Sequence, residues 1–160
     1  VLKEIDKPIY FVSGNHEYYL KDYRNKINQL ASFNIKHLKN TKIQIEDINL
    51  IGIDDNQTEK SKIDFANKLC DDNLFNLVVC HKPDIWQKLN CKNYLMLSGH
   101  THNGQIFPFN FVVKLKFKFI YGLYSMNNSN LYVSSGAACW GPKIRLGSNN
   151  EITHLKLGKI

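Results

Sequence analysis

Short apolar runs that end in turn residues recur along the chain and predict β-strands. These runs occupy residues 8–12, 35–38, 41–46, 49–54, 74–80, 94–97 and 131–136. The run at 74–80 is apolar except for Asn76, a pattern typical of a strand that is covered on both faces. Residues 151–157 alternate between apolar and polar side chains and predict a closing strand.

Helical spacing separates several of these strands. Apolar side chains recur three to four residues apart from Tyr19 to Phe33, which predicts an amphipathic helix over residues 18–33. Its N-terminus would lie beside Asn15 and favour an anion there. Residues 60–70 predict a second helix, and Pro83 begins a short one over 83–89. The fold class expected is therefore mixed α/β.

The length of 160 residues predicts one domain, residues 1–160, with a real hydrophobic core. Residues 1–6 read as the tail of a helix or linker that begins with Val1, so we expect further sequence upstream. No uninterrupted run of 18 apolar residues is present, so no membrane-spanning segment is predicted within these residues.

Residues 107–124 are both aromatic and basic. Lys114, Lys116 and Lys118 alternate with apolar side chains, which predicts an extended segment with one cationic and one apolar face. An edge strand or covering loop with its lysines in water explains this pattern. The alternative is a segment that lies against an anionic membrane surface.

Charge and cysteine content narrow the classes of function. Lysine and arginine exceed the acidic residues by seven, which favours anionic partners, but the chain carries no recognisable nucleic-acid motif. The four cysteines are scattered without a C-x-x-C pair. Neither a disulfide framework nor a four-thiolate zinc site is expected.

Histidines cluster where predicted strands end. His100 and His102 follow the strand at 94–97, and on an extended backbone side chains two residues apart face the same side. Asn15 with His16, and His81, also follow strands. Ligands of open α/β sheets bind at such ends, and imidazole and amide oxygen suit a borderline divalent ion.

The blocks Gly14-Asn15-His16-Glu17, His81 and Gly99-His100-Thr101-His102 together resemble the calcineurin-like metallophosphoesterase superfamily. The resemblance implies the C-terminal half of a four-layer αββα sandwich and a hydrolase that acts on phosphoesters. The continuation over residues 104–109, with 121–124 and 131–134, resembles a bacterial branch that often carries membrane-anchoring segments upstream.

The resemblance also implies roles for individual residues. Asn15, His81 and His100 would ligate one metal ion, and His102 would ligate a second. His16 would stabilise the transition state or protonate the leaving group, and Glu17 would orient His16 through a hydrogen bond. The cofactors implied for the intact protein are two manganese, iron or zinc ions that activate water between them.

The chain departs from the family pattern before Gly14. In the family, an Asp-x-His block and a Gly-Asp block supply the carboxylate that bridges the two ions. Neither block is found before Gly14, and Asp6 is isolated. We therefore expect these residues alone to bind one ion at most. Two alternative functions stay open on this scaffold: a non-catalytic metal- or phosphate-binding module, and a membrane-surface binding protein.

Several further polar residues have a functional and a structural interpretation. Gln105 is a candidate substrate contact and Arg145 a candidate phosphate contact. Asp54 and Asp55 are interpreted as a turn at a strand end rather than as a metal carboxylate pair. His37 and His154 have no neighbouring ligand candidates in sequence and are interpreted as ordinary surface or edge-strand residues.

Overall fold

The computed structural model describes residues 4–158, which form two β-sheets and three α-helices. The smaller sheet pairs β1 (Ile9–Phe11) in parallel with β2 (Ile35–His37). Helix α1 (Tyr23–Leu30) lies between these strands in sequence, flanked by the 3-10 turns Glu17–Tyr19 and Ala31–Phe33. Residues 1–3, expected to belong to a helix tail or linker, lie outside the described part.

The larger sheet contains six strands in the order β3-β4-β5-β6-β8-β7. They are β3 (Thr41–Ile45), β4 (Ile48–Ile53), β5 (Phe75–Cys80), β6 (Tyr94–Ser98), β7 (Gly122–Met126) and β8 (Ser129–Val133). Strands β4, β5, β6 and β8 run parallel, while β3 and β7 pair antiparallel at the two edges. The carboxyl ends of the four central strands therefore meet along one edge of the sheet.

The connections place helices against the sheet. Helix α2 (Glu59–Leu69) joins β4 to β5, and its Thr58 cap accepts a hydrogen bond of 3.2 Å from the Ser61 N–H. A 3-10 helix, Pro83–Lys88, joins β5 to β6, and α3 (Phe109–Lys116) precedes β7. The predicted mixed α/β class is confirmed.

The core is formed by the central strands and the segments that cover them. Ile51, Val78, Met96 and Leu131 come from four adjacent strands and are fully buried. Trp86 packs on this layer from the 3-10 helix, with its ring 5.1 Å from that of Phe119. Burial of these apolar side chains fixes the strand order and therefore positions the loops at the carboxyl edge.

The helix expected over residues 18–33 is shorter than its apolar spacing predicts. Regular α-helix begins only at Tyr23, because Leu20 adopts an extended backbone (φ −80°, ψ 128°) after the 3-10 turn. The Tyr18 hydroxyl turns inward and donates to the Asp54 carboxylate. The prediction of an α-helix N-terminus beside Asn15 was therefore wrong, so a helix dipole gives no reason to expect an anion there.

Two predicted extended segments are also corrected. Residues 109–116 form α3 rather than a strand, although Lys114 and Lys116 alternate with apolar side chains there. Residues 151–157 form no regular strand, and Ile152 is 92% exposed. Alternation predicts a strand only where one face is buried, and neither segment has such a face.

Cys70 and Cys91 form a disulfide, although no disulfide framework was expected from the scattered cysteines. Cys70 ends α2 and Cys91 precedes β6, and packing brings their Cα atoms to 5.7 Å. Cys80 is free, and burial raises the pKa of its thiol to about 12.

Within residues 4–158, none of the helices combines the length and apolar character that crossing a membrane requires.

Candidate functional site

Three loops at the carboxyl edges of the strands approach one another closely. The loop after β1 carries Asn15, β5 leads directly into His81, and β6 leads into His100. The Gly99 N–H donates to the His81 carbonyl over 3.0 Å, which ties two of these loops together. Gly14 makes the third approach possible, because a Cβ atom there would lie only 2.7 Å from the His81 ring.

Three side-chain atoms from these loops form a compact triangle. Asn15 Oδ1 lies 2.8 Å from His81 Nε2 and 3.2 Å from His100 Nδ1, and the two nitrogens are 3.0 Å apart. Asn15 Nδ2 donates to the Tyr19 hydroxyl over 3.3 Å, on the other side of the amide. The oxygen therefore points at both imidazoles.

Hydrogen bonding alone does not satisfy this triangle. An amide oxygen only accepts, and each neutral imidazole nitrogen either donates or accepts. If both nitrogens donate to Asn15 Oδ1, the two N–H groups of His81 and His100 face each other. If either nitrogen accepts instead, it faces the oxygen with lone pair against lone pair. Every proton arrangement leaves one repulsive edge, whereas a shared cation would attract all three lone pairs.

The spacing of the three donors also fits one ion. Ligands about 2.1 Å from a metal lie roughly 3.0–3.4 Å from each other at octahedral or tetrahedral angles. The observed edges of 2.8, 3.0 and 3.2 Å are close to this range. Within residues 4–158, no group of three His, Cys, Asp or Glu side chains has this arrangement, so the set depends on the Asn15 amide.

The electrostatics of the site keep both ring systems neutral. Burial, and then the neighbouring His100, lower the pKa of His81 to about 4. Burial, followed by the Lys82 charge, also lowers the pKa of His100. Neutral imidazole is the form that binds a metal ion, so both rings are in the ligating state at neutral pH.

His102 lies near this triangle but outside it. The backbone leaves the strand at Ser98, and His100 and His102 both have positive φ values of 71° and 50°. The extended backbone expected over these residues was therefore wrong, and strand alternation does not align the two rings. His102 Nδ1 lies 3.4 Å from Arg145 Nη2, and burial followed by the charge of Arg145 lowers the pKa of His102.

His16 is exposed on the loop after β1, with its ring edge-on to Tyr19 at 5.6 Å between centroids. Its charge acts on both His81 and His102, so it lies in their neighbourhood. Glu17 was expected to orient His16, but its carboxylate accepts a 2.7 Å hydrogen bond from the Gly14 N–H. That bond closes the loop backbone that presents Asn15.

Two residues interpreted as substrate contacts have structural partners instead. The buried Gln105 side chain donates to the carbonyls of Trp140, Pro142 and Ile144 and accepts from the Trp140 N–H. The Arg145 guanidinium donates to the carbonyls of His102, Ser135, Gly136 and Ala138 and to Ser148 Oγ. Both side chains hold the 134–148 loops against the turn that carries His102.

The sequence did not reveal a buried ion cluster behind the site. Asp55 follows β4 and pairs with Lys62 at 2.8 Å and with Lys82, the neighbour of His81, at 3.1 Å. Burial opposes ionisation of Asp55, but the hydrogen bonds and charges of the two lysines hold its pKa below the ordinary value. The turn at residues 54–55 therefore has a structural role. In the sequence, only the two adjacent carboxylates pointed to it.

His37 was interpreted as a surface or edge-strand residue, and it ends β2 in the two-stranded sheet, where it is half-buried. Its Nε2 lies 2.8 Å from the Ser13 hydroxyl, immediately before Gly14. Burial is the largest influence on its pKa and lowers it. His154 is exposed, as expected.

Neither a protein-family model nor a solved structure matches this chain. Curated proteins do match. An uncharacterized metallophosphoesterase of Helicobacter pylori is 36% identical over 92% of this chain and 42% of its own length. The transmembrane protein with metallophosphoesterase domain of Bos taurus is 37% identical over 92% of this chain and 38% of its own.

The uncharacterized metallophosphoesterase YkoQ of Bacillus subtilis is 34% identical over 91% of this chain and 58% of its own length. The chain thus spans between 38% and 58% of these three relatives, and the similarity extends beyond bacteria. The similarity covers nearly the whole chain. The chain belongs to the metallophosphoesterase superfamily.

Proposed function

We propose that this chain supplies one half of a dinuclear phosphoester hydrolase site. The observation that carries the proposal is the triangle of Asn15 Oδ1, His81 Nε2 and His100 Nδ1, which no arrangement of protons satisfies. These three side chains would hold one divalent ion of the manganese, iron or zinc type. His102, from the adjacent turn, would contribute to the second ion.

Two divalent ions, when bound, supply an activated water and neutralise charge that develops on the phosphoryl group. The chain itself presents neutral imidazoles at the carboxyl edge of its parallel strands. His81 and His100 are half-buried, which limits the access of water to their rings. The exposed positions of the same edge leave room for a substrate to approach.

His16 is the proposed catalytic acid. Its ring is exposed and stands in the electrostatic neighbourhood of His81 and His102, so it can face a bound phosphoester and donate a proton to the departing oxygen. Glu17 fixes the loop by accepting from the Gly14 N–H. Glu17 is therefore proposed as a positioning residue that acts through the backbone.

A second candidate function is a one-ion binding module without turnover. The observation that favours it is the sequence itself, in which neither an Asp-x-His nor a Gly-Asp pair occurs among the 160 residues. A bridging carboxylate would then have to come from outside these residues. Activity and metal binding therefore distinguish the two candidates.

The test is hydrolysis of an aryl phosphodiester by the full-length gene product in the presence of Mn²⁺. We expect His16→Ala and His100→Ala each to lower kcat at least about 100-fold, the lower range for loss of general acid catalysis or of a ligand. His154→Ala removes an exposed histidine and serves as the matched control. Equal rates for His16→Ala, His100→Ala and the control would exclude the hydrolase and favour the binding module.

A further inference from the structure

Helix α3 presents apolar side chains to water on most of its circumference. Leu115 is 89% exposed and Phe109 is 65% exposed, and the other exposed apolar residues here are Phe107, Phe111 and Val112. Lys114 and Lys116 are exposed among them. We call these seven residues the α3 surface. Large exposed apolar patches on a folded protein mark a site of interaction.

The basic charge of the protein is concentrated in the part of the chain that forms this surface. No acidic residue lies between Asp84 and Glu151, and the basic residues there are Lys88, Lys92, Lys114, Lys116, Lys118, Lys143 and Arg145. These seven account for the whole formal net charge of +7. Two of these residues, Lys88 and Lys92, are paired with Glu59 and Asp72 and lie outside the α3 surface. The α3 surface therefore combines protruding apolar side chains with lysines from a segment that contains no carboxylate.

A second exposed strip adjoins the α3 surface. The Phe107 N–H donates to the Leu146 carbonyl over 2.8 Å, and Leu146 is 57% exposed. Trp140 and Ile144 on the same loop are 62% and 61% exposed, with Lys143 between them. Apolar side chains with interspersed lysines thus continue from the helix onto the neighbouring loop.

We propose that the α3 surface docks this protein on an anionic lipid bilayer, with its apolar side chains in the interface and its lysines on headgroups. An amphipathic helix of this composition gains from both burial of apolar area and attraction to anionic lipid. A second copy of the chain is a poorer occupant, because its lysines would meet those of the first. This inference is independent of the proposed hydrolase activity.

Docking there brings the candidate site to the membrane. Gly104, in the turn that begins at His102, lies so close to α3 that a Cβ atom would meet Asn110 Cα at 2.4 Å. At the other end of the helix, the Phe117 ring contacts the His100 ring at 5.4 Å. The helix therefore rests on the two loops that carry His100 and His102, and the site edge lies beside the docked surface.

The test is sedimentation of the full 160-residue chain with vesicles of about three parts phosphatidylcholine to one part phosphatidylserine. We expect binding that weakens with salt and is lost on pure phosphatidylcholine. Lys114→Gln with Lys116→Gln should lower the partition constant about 30-fold, since each lysine contributes roughly fivefold. Phe109→Ser with Leu115→Ser should lower it by at least about 10-fold.

Matched controls separate docking from general charge. Lys36→Gln with Lys60→Gln removes the same charge from exposed positions outside the surface, and Ile152→Ser removes an equally exposed apolar side chain. Both should bind as the parent does. Equal binding of the α3 variants and their controls would overturn the proposal. Binding of the parent to vesicles of phosphatidylcholine alone would also overturn it. The same holds if a variant of the α3 surface loses binding to duplex RNA while its binding to vesicles is unchanged. Circular dichroism checks that each variant is folded.

Discussion

Gly14 determines how closely the Asn15 loop approaches His81. The residue is buried, and a side chain there would overlap the imidazole ring, whose nearest atoms lie 2.7 Å from the Cβ position. Any larger residue must displace either the loop or the ring. Both groups belong to the proposed metal site, so the space at Gly14 is a requirement of the site as well as of packing.

Gly14→Ala is therefore expected to weaken binding of Mn²⁺ by about 10- to 100-fold, the range typical when a residue that supports a ligand is changed. The measurement is a calorimetric titration of the metal. Gly99→Ala is the matched control, because the nearest atom to its Cβ position is the Ser134 carbonyl oxygen at 4.0 Å. Similar affinities for the two variants would show that the close contact at Gly14 does not position a ligand.

Glu151 accepts hydrogen bonds from four hydroxyl groups, those of Thr153, Tyr132, Ser135 and Ser134. Burial alone would raise the pKa of Glu151, but these donors outweigh it and lower the pKa from 4.5 to about 2. A carboxyl group whose pKa is depressed in the folded state stabilises the protein above its unfolded pKa. That contribution is lost as the pH falls from about 4.5 towards 2.

Glu151→Gln should consequently lower the free energy of unfolding by about 1 kcal/mol at neutral pH, a value reduced for screening by water. The difference from the parent should shrink steadily below pH 4.5. Urea unfolding at a series of pH values measures it, with the exposed Glu46→Gln as control. A difference that stays constant across the acid range would contradict the ionised form as the stabilising one.

At the scale of elements, a buried ion cluster joins three parts of the fold. Asp55 follows β4, Lys62 lies on α2, and Lys82 follows the His81 end of β5. The side chains of Asp55 and Lys62 are only 1% and 3% exposed. Removing one charge would leave the other buried without a partner, which costs more than the pair itself contributes.

Asp55→Asn should lower the free energy of unfolding by about 3–5 kcal/mol. Asp72→Asn breaks an ion pair with Lys92 in which both side chains are more than half exposed, and should cost at most about 1 kcal/mol. Both are measured by urea unfolding at pH 7. Equal effects would mean that water reaches the Asp55 cluster and screens it.

The strands and helices differ in how well the sequence could predict them. The strands β4, β5 and β6 are buried, and burial imposes the apolar runs from which they were predicted. Helix α3 was missed because few of its side chains are buried. Without a buried face, its apolar residues need not recur at helical spacing. The alternation of lysine and apolar residues at 113–119 therefore indicated a strand where none exists.

At the scale of the whole molecule, the candidate site depends on the parallel order of β4, β5, β6 and β8. That order brings residues distant in sequence, such as His81 and His100, to one edge. The histidine clusters and their place at strand ends could be predicted from sequence. The turn at His100 and the partners of Arg145 and Gln105 could not, because positive backbone φ and hydrogen bonds to distant carbonyls leave no periodic pattern.

The central claim is that Asn15, His81 and His100 together hold one divalent ion. Titration of the full 160-residue chain with Mn²⁺, followed by the electron paramagnetic resonance of the free ion, tests it most directly. We predict binding of one ion at most per chain, weakened at least about 10-fold in His81→Ala and in Asn15→Leu and unchanged in His154→Ala. No binding by the parent, two ions per chain, or equal affinity in His81→Ala, Asn15→Leu and the parent would contradict the account.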